Sequence, residues 1–233
     1  MNAEKSKPIS PGTVVIMILL VVVIPFLPLL ISWRWGWWEA WTYWIVAVAG
    51  FTVSRLLVAR RNPDLIAERA RYMRHDDAKD WDKVLSPIIG LGGGLIPIMA
   101  GLEARFGQQT AFSLVVKMVL LALILFGYVF ASWALIENRF FSGMVRIQTD
   151  RGHTVVSTGP YAIVRHPGYA SSLVTFLASP FFLDSLWAVV PAVLLTSVLV
   201  VRTALEDHTL RAELPGYEDY SRRTRFRLIP GIW

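Results

Sequence analysis

The chain contains no cysteine. That excludes a disulfide framework, a thiolate nucleophile and any cysteine-based metal site, and it fits every redox compartment. Charge is scarce as well: Asp, Glu, Lys and Arg make up 17% of the 233 residues, against 55% apolar. A soluble domain is not built this way. The four histidines, His75, His153, His166 and His208, are scattered with no H-x3-H or HExxH spacing, so no metal site is expected. No strand–GxGxxG–helix pattern occurs, and Gly90, Gly92, Gly93 and Gly94 fall inside an apolar run. A Rossmann-type nucleotide site is therefore not expected. Internal repeats and low-complexity segments are absent too.

What the chain has is long apolar runs and ten tryptophans. Tryptophan favours the membrane–water interface, where its ring is apolar and its N–H stays wet. A spanning helix needs roughly 20 mostly apolar residues. Four stretches meet this: residues 13–32, 38–58, 84–102 and 112–136. Pro25 and Pro28 predict a kink in the first. Its length, the lack of an A-x-A site and the belt of Trp33, Trp35, Trp37 and Trp38 after it argue for a retained helix over a cleaved signal after Lys5 and Lys7. The third stretch holds four glycines and Pro97, which membrane helices tolerate and which let a neighbour approach closely.

The net charge of +6 forms no stripe of the kind that reads nucleic acid. The cations sit between the apolar runs. Arg60, Arg61, Arg69, Arg71, Arg74, Lys79 and Lys83 follow the second run. Arg139, Arg146, Arg151 and Arg165 follow the fourth. Arg202, Arg211, Arg222, Arg223, Arg225 and Arg227 lie in the tail. The other loops hold only Arg34 and Arg105. By the positive-inside rule the rich segments face the cytoplasm. Residues 169–201 are apolar but broken by Ser179, Pro180, Asp184 and Ser185. Each half alone is too short to cross, and one crossing would put the tail's arginines outside. A helical hairpin entering and leaving on the cytoplasmic side is predicted. The expected fold is all-α: a polytopic membrane bundle of four spans, then the hairpin and a cytoplasmic tail. The expected division is 1–137, with an interfacial segment at 59–83, and 138–233. Within that segment Asn62-Pro63, followed by Asp64 and Glu68, suits a helix start, with a solvated connector as the alternative.

Two polar clusters stand out. The first is Thr158-Gly159-Pro160-Tyr161, then Arg165-His166-Pro167-Gly168-Tyr169. Gly-Pro and Pro-Gly are turn signals that fix the backbone around a histidine, an arginine and two tyrosines. Interfacial anchoring accounts for the tyrosines and arginine equally well; the histidine at membrane depth points to function. The second is Arg202, Glu206-Asp207 and Leu210, then Pro215-Gly216-Tyr217-x2-Tyr220, Arg225 and Pro230. Arg202 and Glu206 are four apart and share a helix face, where an ordinary ion pair is the plainer reading.

Together these motifs resemble the isoprenylcysteine carboxyl methyltransferase family, with its bacterial and archaeal relatives and the related phospholipid N-methyltransferases. The resemblance covers the last third of the chain; Asn62-Pro63 and Trp81-Asp82 add to it. One departure is Asp207, where the family usually has a second glutamate. The resemblance implies an integral membrane enzyme that uses S-adenosylmethionine. It implies a cofactor pocket formed by Tyr161, Arg165, His166, Pro167, Tyr169, Glu206, Asp207, Tyr217 and Tyr220. Arg202 is expected to face the methyl acceptor and, with Glu206, to act in catalysis. The acceptor is expected to be a lipid or prenylated molecule, with a carboxylate as the methylated group. Two readings share this pattern: an NADPH-dependent reductase of the membrane sterol reductase type, and a non-catalytic membrane protein of the same fold.

Overall fold

The computed structural model describes residues 11–72 and 75–233; Lys5, Lys7 and Arg74 lie outside them. All regular structure among the described residues is helical. The first apolar run forms α1 (Pro11–Ile18), a π-helical turn (Leu19–Val23) and α2 (Ile24–Ser32). The irregularity falls on the turn before Pro25, and the Val22 carbonyl there accepts from the Trp44 indole at 3.0 Å. The second run is α3 (Trp38–Arg61) and the third is divided into α5 (Asp82–Gly92) and α6 (Leu95–Phe106). The fourth is α7 (Leu114–Glu137), whose Ser113 hydroxyl caps it by accepting from the Val116 N–H at 3.4 Å. Between α3 and α5, α4 (Pro63–Ala70) starts at Asn62-Pro63 with Asp64 in its first turn. The segment is thus helical at its start, and it is tied to the bundle: Asn62 Nδ2 donates to the Ile136 carbonyl at 2.7 Å.

The glycines of the third run do what small residues do between membrane helices. A Cβ on Gly92 would lie 2.6 Å from the Leu195 side chain, and one on Gly94 would lie 2.9 Å from Ile24. Both helices approach to a distance only glycine allows.

The hairpin is present but its arms are longer than the apolar run suggests. Its first arm is α8 (Pro167–Phe182) and its second is α9 (Val189–Glu213), followed by α10 (Tyr217–Arg223). At 1.5 Å per residue, α9 is about 37 Å long, enough to cross a membrane. The expectation that neither arm could do so ended the second arm at the first charged residue. In the fold, Arg202 and Asp207 are buried and paired inside α9 rather than ending it. The turn between the arms reaches the end of the bundle that carries the loops before α3 and α7. There Gln109 Nε2 donates to the Leu183 carbonyl at 3.4 Å, and the Phe112 N–H donates to Asp184 Oδ1 at 2.9 Å. We call this the distal end, and the end where the hairpin enters and leaves the proximal end.

Five helical stretches among the described residues are long and apolar enough to cross a membrane: Val15–Ser32, Trp38–Arg61, Asp82–Phe106, Leu114–Glu137 and Val189–Glu213. They support a multi-pass integral membrane protein. The exposure of α7 agrees, with Val115 74% and Val129 68% exposed. Such a surface is at home in lipid rather than water.

The distal end buries charge. Lys117 of α7 is hydrogen-bonded to Glu39 of α3 and reaches Asp184 in the hairpin turn at 2.5 Å. Beside them, Glu103 of α6 accepts from the Ser185 hydroxyl at 2.5 Å and from the Trp187 N–H at 2.9 Å. Three helices, α3, α6 and α7, are fastened to the hairpin tip in this way.

Candidate functional site

At the proximal end the loop before α8 and the tail after α10 are laced together. The Arg165 N–H donates to the Phe226 carbonyl at 2.9 Å, and the His166 N–H to that of Arg227 at 3.0 Å. Arg165 Nη1 donates to the carbonyls of Thr224 and Arg225 at 2.8 and 2.7 Å. The Tyr220 hydroxyl donates to the Tyr161 carbonyl at 2.7 Å. Pro167 occupies the first turn of α8, where its missing N–H costs nothing. The two motif segments, joined here by residues about 60 positions apart in sequence, thus form one surface.

Asp207 is the hub of that surface. It is fully buried. Arg165 binds it through Nε at 2.6 Å and Nη2 at 3.2 Å, Arg227 through Nε at 3.0 Å and Arg211 through Nε at 3.2 Å. The Tyr217 hydroxyl adds a bond at 3.2 Å, and His166 Nε2 stands at 3.4 Å. Its shorter side chain matches these partners, which come to it from three directions.

Beside the hub lies a cavity of about 770 Å³, the open solvent at its mouth included. Of the residues expected to bind a cofactor, Tyr161, Arg165, His166, Tyr169, Glu206, Tyr217 and Tyr220 line it, and so does Arg202. Pro167 and Asp207 do not. Proline starts the helix, and the aspartate is consumed by its cations. Consecutive residues on a helix point about 100° apart, so Glu206 faces the cavity while Asp207 faces away. The Tyr169 hydroxyl donates to Glu206 Oε2. His166 and Tyr169 stack in parallel with ring centres 5.7 Å apart.

Arg202 is less free than its sequence position suggests. Its Nε and Nη2 grip Asp82 of α5 at 2.6 and 2.9 Å, and Nη2 also donates to the Gly143 carbonyl at 3.0 Å. Its guanidinium lies over the Tyr169 ring at 5.1 Å. Nη1 has no hydrogen-bond partner among the described residues. Asp82 completes its own set by accepting from the Val145 N–H at 2.6 Å. Asp82 is thus a counter-ion for Arg202, a role that was invisible in sequence.

The wall opposite the motifs comes from residues 138–156, which the motifs did not flag. Phe140, Phe141, Met144, Val145 and His153 all face the cavity. One trace was legible: Gly168 sits so close to Phe141 that a Cβ would lie 2.3 Å from the ring. The segment around α4 backs this wall. Arg69 Nη1 donates to the carbonyls of Phe141 and Ser142 at 3.1 and 3.3 Å, and the Lys79 N–H donates to that of Val145 at 3.0 Å. Arg146 is clamped by Asp150, Asp77 and Glu68. Those acids outweigh the effect of its burial and raise its pKa. His153 is pushed down to about 4, first by burial and then by the charges of Arg146 and Arg151. It is a neutral ring near pH 7. Burial raises Tyr161, Tyr217 and Tyr220, so all three are neutral phenols.

Residues 119–212 match the Isoprenylcysteine carboxyl methyltransferase (ICMT) family. The match covers α7, the cavity wall, the hairpin and Glu206-Asp207. It bears out the resemblance carried by the motifs. With the membrane-length helices, it supports a membrane methyltransferase of the ICMT type. The chain is also 33% identical over 78 residues to the nickel-cobalt-cadmium resistance protein NccN of Alcaligenes xylosoxydans xylosoxydans. That alignment covers 30% of this chain and 33% of the relative, so the chain spans about a third of that protein's length. Among the described residues, no group of three or more His, Cys, Asp or Glu is placed to hold a metal ion.

Proposed function

We propose that the protein transfers a methyl group from S-adenosylmethionine to the carboxylate of a lipid or prenylated acceptor, at a site facing the cytoplasm. One observation carries this reading: a cavity walled by both motif segments presents aromatic faces together with one carboxyl side chain, Glu206. The donor set fits the cofactor. Tyrosine faces attract a sulfonium by roughly 0.5–2 kcal/mol each. Glu206 keeps one carboxylate oxygen without a protein partner among the described residues and suits an ammonium or ribose hydroxyl. When bound, the cofactor supplies an activated methyl group and carries its own leaving group.

The chain's residues then have mainly to position and shield. A carboxylate acceptor is ionised near pH 7 and needs no general base. The unbonded Nη1 of Arg202 is suited to orient it, while Asp82 and Tyr169 fix the guanidinium plane. The phenols of Tyr161 and Tyr217 stay protonated and act as donors. Phe140, Phe141 and Met144 exclude water that would otherwise solvate the acceptor oxygen. Asp207, His166 and Pro167 act through position, by holding the loop to the tail. The cytoplasmic placement rests on the cations gathered at the proximal end. A nicotinamide dinucleotide fits less well. Arg146, Arg165 and Arg202 on the cavity wall are already matched to carboxylates, which leaves no open fork for a pyrophosphate.

Calorimetric titration of the purified protein with S-adenosylhomocysteine tests the reading. Wild type binds, and Glu206→Gln weakens binding tenfold or more without changing the unfolding temperature. Folded protein that ignores millimolar S-adenosylhomocysteine, or that binds NADPH instead, defeats it. Membrane extracts incubated with labelled methyl donor then identify the acceptor.

A further inference from the structure

Residues 227–233 close on themselves without forming a helix. The N–H groups of Arg227, Leu228 and Ile229 donate to the Trp233 carbonyl at 2.9, 3.0 and 3.2 Å. Those of Ile232 and Trp233 donate back to the Ile229 carbonyl at 3.1 and 3.2 Å. Pro230 has no N–H to place, and Gly231 takes the left-handed backbone, φ 83°, that the tight return requires. A backbone satisfied in this way can rest at a membrane interface at little cost.

The side chains put the turn at such an interface. Leu228 is buried with Val164 and Ala170, and Phe226 and Trp233 pack on the same cluster with Phe130 of α7, Leu173 of α8 and Val200 of α9. Phe130 lies about two turns, roughly 10 Å, before the end of α7. The turn therefore lies alongside membrane-length helices rather than standing clear of them. Phe130 also stacks on Phe126 with ring centres 5.4 Å apart and meets Trp133 at 6.2 Å, and both of those rings are exposed on α7. On the turn itself Ile229 is exposed and Ile232 is 77% exposed. These isoleucines continue an apolar surface that already suits lipid. Just ahead of them Arg223 and Arg225 are exposed and form no ion pair among the described residues. Their neighbours are matched: Arg222 has Glu218 at 3.5 Å and Arg227 has Asp207 at 3.0 Å. Exposed apolar side chains next to unmatched guanidiniums complement the acyl chains and phosphates of one leaflet.

We propose that residues 223–233 form a lipid-contact element at the proximal end. Ile229 and Ile232 enter the acyl-chain boundary of that leaflet, and Arg223 and Arg225 hold the phosphates of anionic phospholipids. Guanidiniums suit phosphate oxygens, and basic residues beside a bilayer favour anionic lipid. The element is fastened to the hub beside the cavity, because Arg227 lies over the Trp233 ring at 4.8 Å while it holds Asp207. It stands apart from the methyltransferase reading.

The test uses the full chain in phosphatidylcholine nanodiscs. Since the protein has no cysteine, Ile232→Cys gives a single site for a bimane fluorophore. Phosphatidylglycerol spin-labelled near the top of its acyl chain quenches this label at least threefold more than phosphatidylcholine labelled in the same way, at equal mole fraction. Water-soluble acrylamide quenches it weakly. Adding Arg223→Gln and Arg225→Gln brings the two lipids to within about 1.5-fold of each other. The same double substitution in the otherwise wild-type chain leaves the unfolding temperature in neutral detergent unchanged, because neither arginine has a carboxylate to lose. Strong quenching by acrylamide with none by lipid overturns the proposal, since the turn then stands in water. Equal quenching by the two lipids, a preference that survives the double substitution, or earlier unfolding of the double variant in detergent overturns it as well.

Discussion

The two ends of the hairpin both bury charge, with opposite stoichiometry. At the distal tip one lysine, Lys117, is held by two carboxylates, Glu39 and Asp184. At the proximal base one carboxylate, Asp207, is held by Arg165, Arg211 and Arg227. The distal cluster fastens helices to the hairpin, and the proximal one fastens the loop before α8 and the C-terminal tail to it. The proximal one borders the cavity, and it does so through a neighbour: Glu206, one residue before Asp207, points the other way. A structural charge and a site charge are thus adjacent in sequence and separated by a rotation of the helix. The distal cluster clamps the bundle, and the proximal hub clamps and also shapes a binding wall.

The comparison can be broken most forcefully at the tip. Lys117→Met leaves two buried carboxylates unpaired, and its expected cost is about 3–5 kcal/mol. Thermal unfolding in detergent measures it. The triple variant Glu39→Gln, Lys117→Met, Asp184→Asn should recover most of the loss, since replacing every charged member is far milder than removing one. A single variant that unfolds with the wild type would show that the tip is no clamp.

At the base, Asp207→Asn is expected to cost about 3 kcal/mol and to free the tail. Limited proteolysis after residue 214 should speed up before global unfolding does. Asp207→Glu sharpens the point. It restores the family's usual residue but inserts a methylene at a fully buried position, at an expected cost of about 1–3 kcal/mol. A Glu variant as stable as wild type would mean the arginines re-space freely. Gly168→Ala drives a Cβ into Phe141 and should cost a similar ~1–3 kcal/mol. The displaced ring should also weaken S-adenosylhomocysteine binding, read by calorimetry.

The smallest expected effect is a pH dependence from His153. Its folded pKa of about 4 lies below the unfolded value near 6.5. Between these values the unfolded chain takes up a proton that the folded chain does not. His153 therefore leaves stability intact above pH 6.5 and lowers it as the pH falls toward 4. The loss is on the order of 1 kcal/mol once solvent screening is allowed for. His153→Gln should flatten the unfolding temperature over that window, while the Arg146 clamp should be indifferent there. An unchanged profile would remove His153 from the buried wall.

Much of this was readable in advance for a simple reason. Bilayer thickness fixes helix length, so the four long apolar runs stated their own boundaries to within a few residues. The turn chemistry of Gly159-Pro160 and Pro167-Gly168 likewise fixed a rigid polar loop ahead of the hairpin. The cavity's opposite wall was not readable. Residues 138–156 contain almost no regular structure, and irregular chain has no period to detect. The length of α9 was hidden as well, because a charged residue in an apolar helix looks like an end until its partner is known.

The sequence alone determined a helical membrane protein with most of its cations on one side and two polar motifs around a hairpin. Those features are local: hydropathy, turn residues and charge counts act over one helix or one loop. Only the tertiary structure decided which of two adjacent acids faces the cavity and that Asp82 occupies Arg202. The worth of a buried charge depends on what stands within a few ångströms of it. Here those neighbours come from helices as far as 120 residues away along the chain.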